Sequence, residues 1–466
     1  MGLSCTLIQD SIQYLQWKIE GVKLQGTYKY ILKLSFPIML GTAAQSIVAL
    51  SDSIFLYHLS EQDFAAIGFV GVFYLVIAGI GFGFTRGGQL MIARRMGESK
   101  QEEVGRTFYA MLYFEIILAT IMFFFLRYGA SAFFELFVSS KVILLKSVEY
   151  LHYRAYGLFF SFTGVAIIAL YTSVARPSFI VIDTVILAVS NLILNYLLVF
   201  GKFGFPAMGI GGSALASTLS EALAFFVFVI YILFDKPARK YRLFHLPNID
   251  LPLMVQQLKL ALPAVVQTVI GLGSWFVFVS MIESLGQRPL AITNLVRIVY
   301  LILIIPCWGF SSGMHTLVSN LLGQKKFDEI LPLAWKTAIL SLSVTLILAI
   351  PMVIWPHYLL YPLLGEHDNG LFADSVPTFR VLLVIMCLYS TANIFFNVIS
   401  GTGATYFGLK LQAVLTAFYL FGVFYVVKYT DYNVAYAWGV EIFYWIFLFV
   451  FSYWFLRSNY WHTIEV

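Results

Sequence analysis

The chain has 466 residues, of which 60% are hydrophobic and 11% charged, with 44 Phe and 28 Tyr. No water-soluble domain could keep that much apolar surface from solvent, so a soluble globular protein is excluded. The net charge of +5 is modest and, as the loops show below, reflects their asymmetry, so no nucleic-acid partner is expected.

Residues 1–28 carry no secretory pattern, because Ser4 to Gly26 is polar and lacks a compact apolar core, and no cleavage is expected. Ile8, Ile12, Leu15 and Ile19 fall on one helical face beside Trp17, which suits either a short helix on the membrane surface or a disordered tail. Twelve apolar stretches of about 20 residues then begin near 31, 64, 107, 150, 178, 208, 258, 289, 333, 376, 406 and 434, each long enough to cross a hydrocarbon core of about 30 Å. In lipid every backbone polar group must be satisfied within its own segment, and the alternation of a membrane barrel is absent, so an all-α integral membrane fold is expected. The three cysteines, Cys5, Cys307 and Cys387, are too few and too scattered for a disulfide framework or a metal site.

Lysines and arginines set the orientation. If the N-terminus is cytoplasmic, the inner segments hold clusters such as Arg94, Arg95, Lys100 and Arg106, and Lys236, Arg239, Lys240 and Arg242. The outer ones hold only Arg127, Lys141, Lys146, Lys202, Arg288, Arg380 and Lys428. The positive-inside rule therefore places both termini in the cytoplasm of a multi-pass protein of the inner or plasma membrane.

The chain repeats itself. LKLSFP at Leu32 to Pro37 returns as LKLALP at Leu258 to Pro263, Gly83-Phe84 as Gly309-Phe310, Gly87 as Gly313, and RRMGESKQEEV as NLLGQKKFDEI, always 226 residues later. A constant spacing argues for duplication into two halves of six helices. An even number of crossings makes the halves parallel, with a pseudo-twofold axis along the membrane normal. The expected organisation is an N-lobe at 29–234, a cytoplasmic linker at 235–254, a C-lobe at 255–458 and a tail at 459–466. Parallel repeats around a central site are a transporter architecture. A membrane enzyme is disfavoured, since the seven histidines are dispersed and neither G-x-S-x-G nor HExxH occurs.

Charges inside the spans mark candidate sites. Asp52 lies well inside helix 1, where an ionised carboxylate costs about 3 kcal/mol on insertion scales, and Thr42, Gln45, Ala49 and Asp52 form a stripe that must avoid lipid. Its repeat mate is Phe278, so the halves have diverged. Asn191 and Asn195 stand one turn apart on helix 5, where they either bridge helices or coordinate an ion. Glu115, Asp183 and Glu221 are further acids of the first half, either relay groups or partners of Arg86, tyrosine hydroxyls or water. Glu283 and Arg297, near the outer ends of helices 7 and 8, read as a structural ion pair.

Taken together, LKLSFPIML, ALSDSIF, AAIG, GFGFTRGGQLMIARRMGE, SNLILNYLLVFG and GIGGSALAST, with LKLALP, LGQRPLAITNLVRIVYLILIIPCWGF and ISGTGAT, resemble the multidrug and toxic compound extrusion (MATE) family from about residue 30 onward. The resemblance implies a secondary-active antiporter that expels cationic or amphipathic small molecules in exchange for H⁺ or Na⁺, with no other cofactor.

 It places the coupling site at Asp52, with Asn191, Asn195 and Ser213 on the positions where family members with a first-lobe Na⁺ site carry an Asn, an Asp and a Thr. The second carboxylate of that set is missing here, so a lone carboxyl, able to exchange H⁺, is the expected site, with Na⁺ at Asp52, Asn191, Asn195 and Ser213 as the alternative. An arginine comparable to Arg297 points to the DNA-damage-inducible branch. Lipid-linked oligosaccharide flippases of the same superfamily are the alternative function, and the bilayer and small-molecule substrates are the expected partners of a monomer.

The orientation is open to test. In a background freed of native cysteines, single cysteines at Arg239 and Glu366 are expected to react with an impermeant reagent from opposite sides of the membrane. Labelling of both from outside would overturn it.

Overall fold

The computed structural model describes residues 27–135, 138, 140–245, 247–355, 369–430, 434–458 and 460–463. The N-terminal segment up to residue 26, Glu366 and the last residues of the tail lie outside the described residues. Twelve helices long and apolar enough to cross a membrane are present among those described. They are α1 (Tyr28–Tyr57), α2 (Glu61–Gly97), α3 (Glu102–Phe124), α4 (Lys141–Ser173), α5 (Ser178–Phe200), α6 (Gly209–Phe234), α7 (Leu251–Glu283), α8 (Gln287–Gly323), α9 (Ile330–Ile354), α10 (Asn369–Thr402), α11 (Thr405–Tyr429) and α12 (Val434–Arg457). α3 runs on through a π turn, Phe125–Gly129, to Glu135.

The helices start where local chemistry allows. The Ser60 hydroxyl caps α2 by accepting the Asp63 N–H at 3.0 Å, and α5 ends at Gly201, whose φ of 66° suits the left-handed C-cap. Several helices outrun the apolar windows of the sequence, α2 reaching 37 residues, because helical hydrogen bonding continues into the polar flanks. Large apolar side chains such as Ile47, Phe276, Ile347 and Phe418 are exposed on the protein, as a lipid-facing surface requires.

The chain forms two compact units that do not follow its halves strictly. Unit 1 contains Leu40–Val265 with Asn320–Lys325, and unit 2 contains the described residues up to Met39, Val266–Ser319 and Lys326 onward. α1 and α7 therefore change unit two residues after Pro37 and Pro263, the prolines of the repeated hexapeptide. A proline within a helix removes one backbone hydrogen bond and weakens the helix locally, which suits a point where it leaves one packed body for another. In unit 1, α4 packs against α2, α3 and α6, and α5 against α6. In unit 2, α10 packs against α9 and α12, and α11 against α12.

The repeated glycines explain how the exchanged half-helices dock. A Cβ on Gly87 of α2 would stand 2.5 Å from the Gln257 carbonyl oxygen of α7, within unit 1. Its repeat mate Gly313 of α8 would place a Cβ 2.6 Å from Ser35 Oγ of α1, within unit 2. Each unit thus seats the half-helix before a repeated proline on a helix that must be bare at that point. The segment between α6 and α7, read as a plain linker, is also tied down in unit 1. Asp235 accepts from Arg176 at 2.6 Å and from the Tyr171 hydroxyl at 3.1 Å, and Asp250 accepts from Arg106 Nε at 2.6 Å. Desolvation pushes the Asp250 carboxyl up, but the Leu253 N–H, Arg106 and Arg95 together outweigh it and hold the carboxyl below its usual range.

Gly87→Leu and Gly313→Leu should each lower thermal stability in detergent, by about 1–3 kcal/mol for overpacking. Gly68→Ala, where a Cβ meets nothing within 4 Å, should not. Equal melting of all three would remove the docking role of the glycines.

Candidate ion-coupling site

Asp52 sits in the last turns of α1, shortly before its end at Tyr57, and is 5% exposed. α5 and α6 supply its neighbours, and their approach is dictated by small residues. Gly211, Gly212, Ser213, Ala214, Ala216 and Ser217 of α6 are all buried, and a Cβ on Gly212 would meet the Leu198 carbonyl oxygen of α5 at 2.6 Å. With the two helices this close, side chains one turn apart on α5 reach the same carboxylate as a hydroxyl of α6.

Asn195 Nδ2 donates to Asp52 Oδ1 at 2.7 Å and Asn191 Nδ2 donates to it at 3.3 Å. The Ser217 hydroxyl donates to Asp52 Oδ2 at 2.8 Å while accepting from Asn191 Nδ2 at 2.9 Å. All three donors are neutral, so the carboxylate is hydrogen-bonded without being neutralised by contact. Ser213, the α6 hydroxyl expected here, makes none of these bonds; its Oγ is buried with no hydrogen-bond partner among the described residues. The contacting hydroxyl is Ser217, one turn further along. The side-chain oxygens of Asn191 and Asn195 are likewise buried and without a hydrogen-bond partner.

The other predicted charges separate. Glu221 is locked to Arg154 by a two-pronged pair with both N···O distances at 2.6 Å, and the guanidinium lies 4.3 Å from the Tyr74 ring centroid. Glu221 therefore has a fixed counter-ion, and its partner is Arg154 rather than Arg86. Asp183 and Glu115 are buried but make no hydrogen bond to Asp52; neither oxygen of Glu115 has a hydrogen-bond partner. Glu283 is exposed, and among the described residues no ion pair joins it to Arg297, so the expected outer pair is not formed. Asp63 carries a pair of its own, with Lys146 at 2.7 Å.

Two further groups escape the sequence reading. Ser217 falls within a run of small residues that gives no sign of which hydroxyl turns inward. Glu441, buried on α12, interrupts an apolar run in the same way that Asp52 does, so its signal is present in the sequence.

The profile of the MatE family matches residues 37–197 and 263–430, each match beginning at a repeated proline. The chain belongs to the MatE family. This MatE chain is 27% identical over 420 residues to a probable multidrug resistance protein NorM of Synechocystis sp., covering 86% of this chain and 89% of that protein. It is 24% identical to the multidrug resistance protein NorM of Photobacterium profundum, covering 87% and 89%. In fold it is similar to a MOP superfamily transporter from Pyrococcus furiosus, with a TM-score of 0.85 at 18% identity over 94% of this chain and 98% of the other. Another neighbour, also at TM-score 0.85, is an outward-facing multidrug resistance MATE family transporter. The protein is a multi-pass transporter of this family and not an enzyme.

The geometry separates the two serines. Ser217→Ala removes a hydrogen bond to a buried carboxylate worth about 1.5–3 kcal/mol and should weaken transport about tenfold or more if Asp52 takes part in it. Ser213→Ala, which breaks no hydrogen bond among the described residues, should leave transport near the parent level. Equal effects in a vesicle transport assay would remove the distinction.

Proposed function

We propose that the protein exports cationic or amphipathic small molecules across the plasma membrane by antiport, with Asp52 as the group that carries the coupling ion. The observation that carries this reading is a buried carboxylate held by three neutral donors from two other helices and by no cation. Such a group can gain and lose a positive charge without disturbing a salt bridge. The names of the relatives, multidrug resistance proteins, support the substrate class.

H⁺ is the favoured coupling ion, because the site offers a single carboxyl. Protonation then removes the charge that would attract a cationic substrate, so proton and substrate exclude each other, and alternating access turns that exclusion into exchange. Na⁺ is the second reading, favoured by the side-chain oxygens of Asn191, Asn195 and Ser213, which are buried without hydrogen-bond partners. With the two amides flipped so that their oxygens face Asp52, they would supply oxygens of the hard kind that Na⁺ prefers. A flippase for polyanionic lipids is disfavoured, since Arg154, the buried arginine beside this cluster, is taken up by Glu221 and offers no open fork to a phosphate.

In proteoliposomes, an inwardly directed proton gradient without Na⁺ is expected to drive export of a fluorescent cation, and Asp52→Asn should abolish it while the protein remains folded. Export that is silent under that gradient and starts when Na⁺ is added would replace H⁺ by Na⁺; under Na⁺ coupling Ser213→Ala becomes costly. Near-parent export by Asp52→Asn would return Asp52 to a structural role.

A further inference from the structure

Unit 2 holds a second intramembrane acid that the Asp52 mechanism does not use. Glu441 lies on α12 and is 9% exposed. Its Oε1 accepts from Trp445 Nε1 at 2.8 Å, one turn along the same helix, and from the Tyr300 hydroxyl of α8 at 3.4 Å. The titratable groups facing it are phenols: Tyr300 on α8, Tyr389 on α10, Tyr419 on α11 and Tyr444 on α12. Among the described residues no lysine, arginine or histidine bears on it; Arg297, one turn before Tyr300, is not coupled to it. An aromatic wall closes the site. Trp275 stacks on Tyr300 at 6.3 Å and 5°, Trp445 meets Tyr389 edge-on at 4.6 Å, and Trp438 and Phe278 are almost fully buried beside them.

We propose that Glu441 is a second proton-binding site, seated in unit 2 and separate from Asp52. An acid at membrane depth without a counter-cation must have its charge removed by a ligand, and the surroundings decide which one. Na⁺ needs several oxygen acceptors, whereas Oε1 is met by an indole N–H, which can only donate, and by a phenol pointing its hydrogen inward. An organic cation needs room that the packed rings do not leave. A proton needs no room and requires only the carboxyl oxygens. The proposal stands whichever ion Asp52 exchanges, and it gives unit 2 a carboxyl of its own able to take up H⁺.

The position of the tryptophans makes the site readable, since of nine in the chain Trp17 alone precedes Trp275. The test uses the full-length protein in lipid nanodiscs, following tryptophan emission and the protons taken up from an indicator dye during an acid jump. A sigmoidal change in emission is expected in the parent and in Asp52→Asn. Glu441→Gln should lose it and take up one proton fewer than the parent. Glu441→Asp should keep the uptake, and Trp445→Phe should keep the uptake while losing most of the emission change. Equal proton uptake by the parent and Glu441→Gln would overturn the proposal. So would an emission change that survives Glu441→Gln, or, should that variant fail to fold, one that survives Trp445→Phe. Failure of Asp52→Asn to impair export would leave these outcomes unaffected, so the two readings fail separately.

Discussion

Hydrocarbon supplies no hydrogen bonds and almost no screening, so a charge that the helices carry into it is costly unless a neighbouring side chain answers it. Glu115 is buried with neither oxygen hydrogen-bonded among the described residues, but four other acids are answered, in two ways. Asp63 and Glu221 each meet a cation, Lys146 and Arg154, in close pairs that leave no charge to be exchanged. Asp52 and Glu441 meet only neutral donors, amides and a serine for one and an indole and a phenol for the other. The first arrangement fixes helices to one another. The second satisfies hydrogen bonds without placing a cation in contact with the carboxyl, and this difference in partner is what the proposed exchange at these two acids rests on.

The duplication serves the same economy of backbone. Gly87 and Gly313 are bare because Gln257 and Ser35 occupy the space a side chain would need, and the half-helices that bring those residues end at Pro263 and Pro37. Repeated glycine and repeated proline are two ends of one device, the seat and the weak point of an exchanged half-helix. That is why a short hexapeptide and glycines some 50 residues downstream kept the same 226-residue offset.

Much of this was legible in the sequence because it depends on composition and period. Twelve apolar runs, the parallel repeat and the turning of Asp52, Asn191 and Asn195 away from lipid follow from what lipid tolerates. The choice between Ser213 and Ser217 does not, since both lie on one face of α6 and only its axial offset against α1 decides which hydroxyl meets Asp52. Glu283 and Arg297 look like partners when each is placed by helix end alone, yet pairing depends on how α7 and α8 are rotated, which a single sequence leaves open. The partner of Glu221 was hidden for the same reason, Arg154 being 67 residues away in the chain.

The halves have diverged at the acid itself. At the repeat offset Asp52 is answered by Phe278, so the carboxyl of the first half has no counterpart at that place in the second. Phe278 now packs against Trp275 and Trp438, with ring centroids 5.4 Å from both. Glu441 stands on α12 rather than on α7, the repeat counterpart of the Asp52 helix, and has its own donors in Trp445 and Tyr300. The second unit therefore holds a buried acid hydrogen-bonded by rings, where Asp52 is held by amides and a hydroxyl.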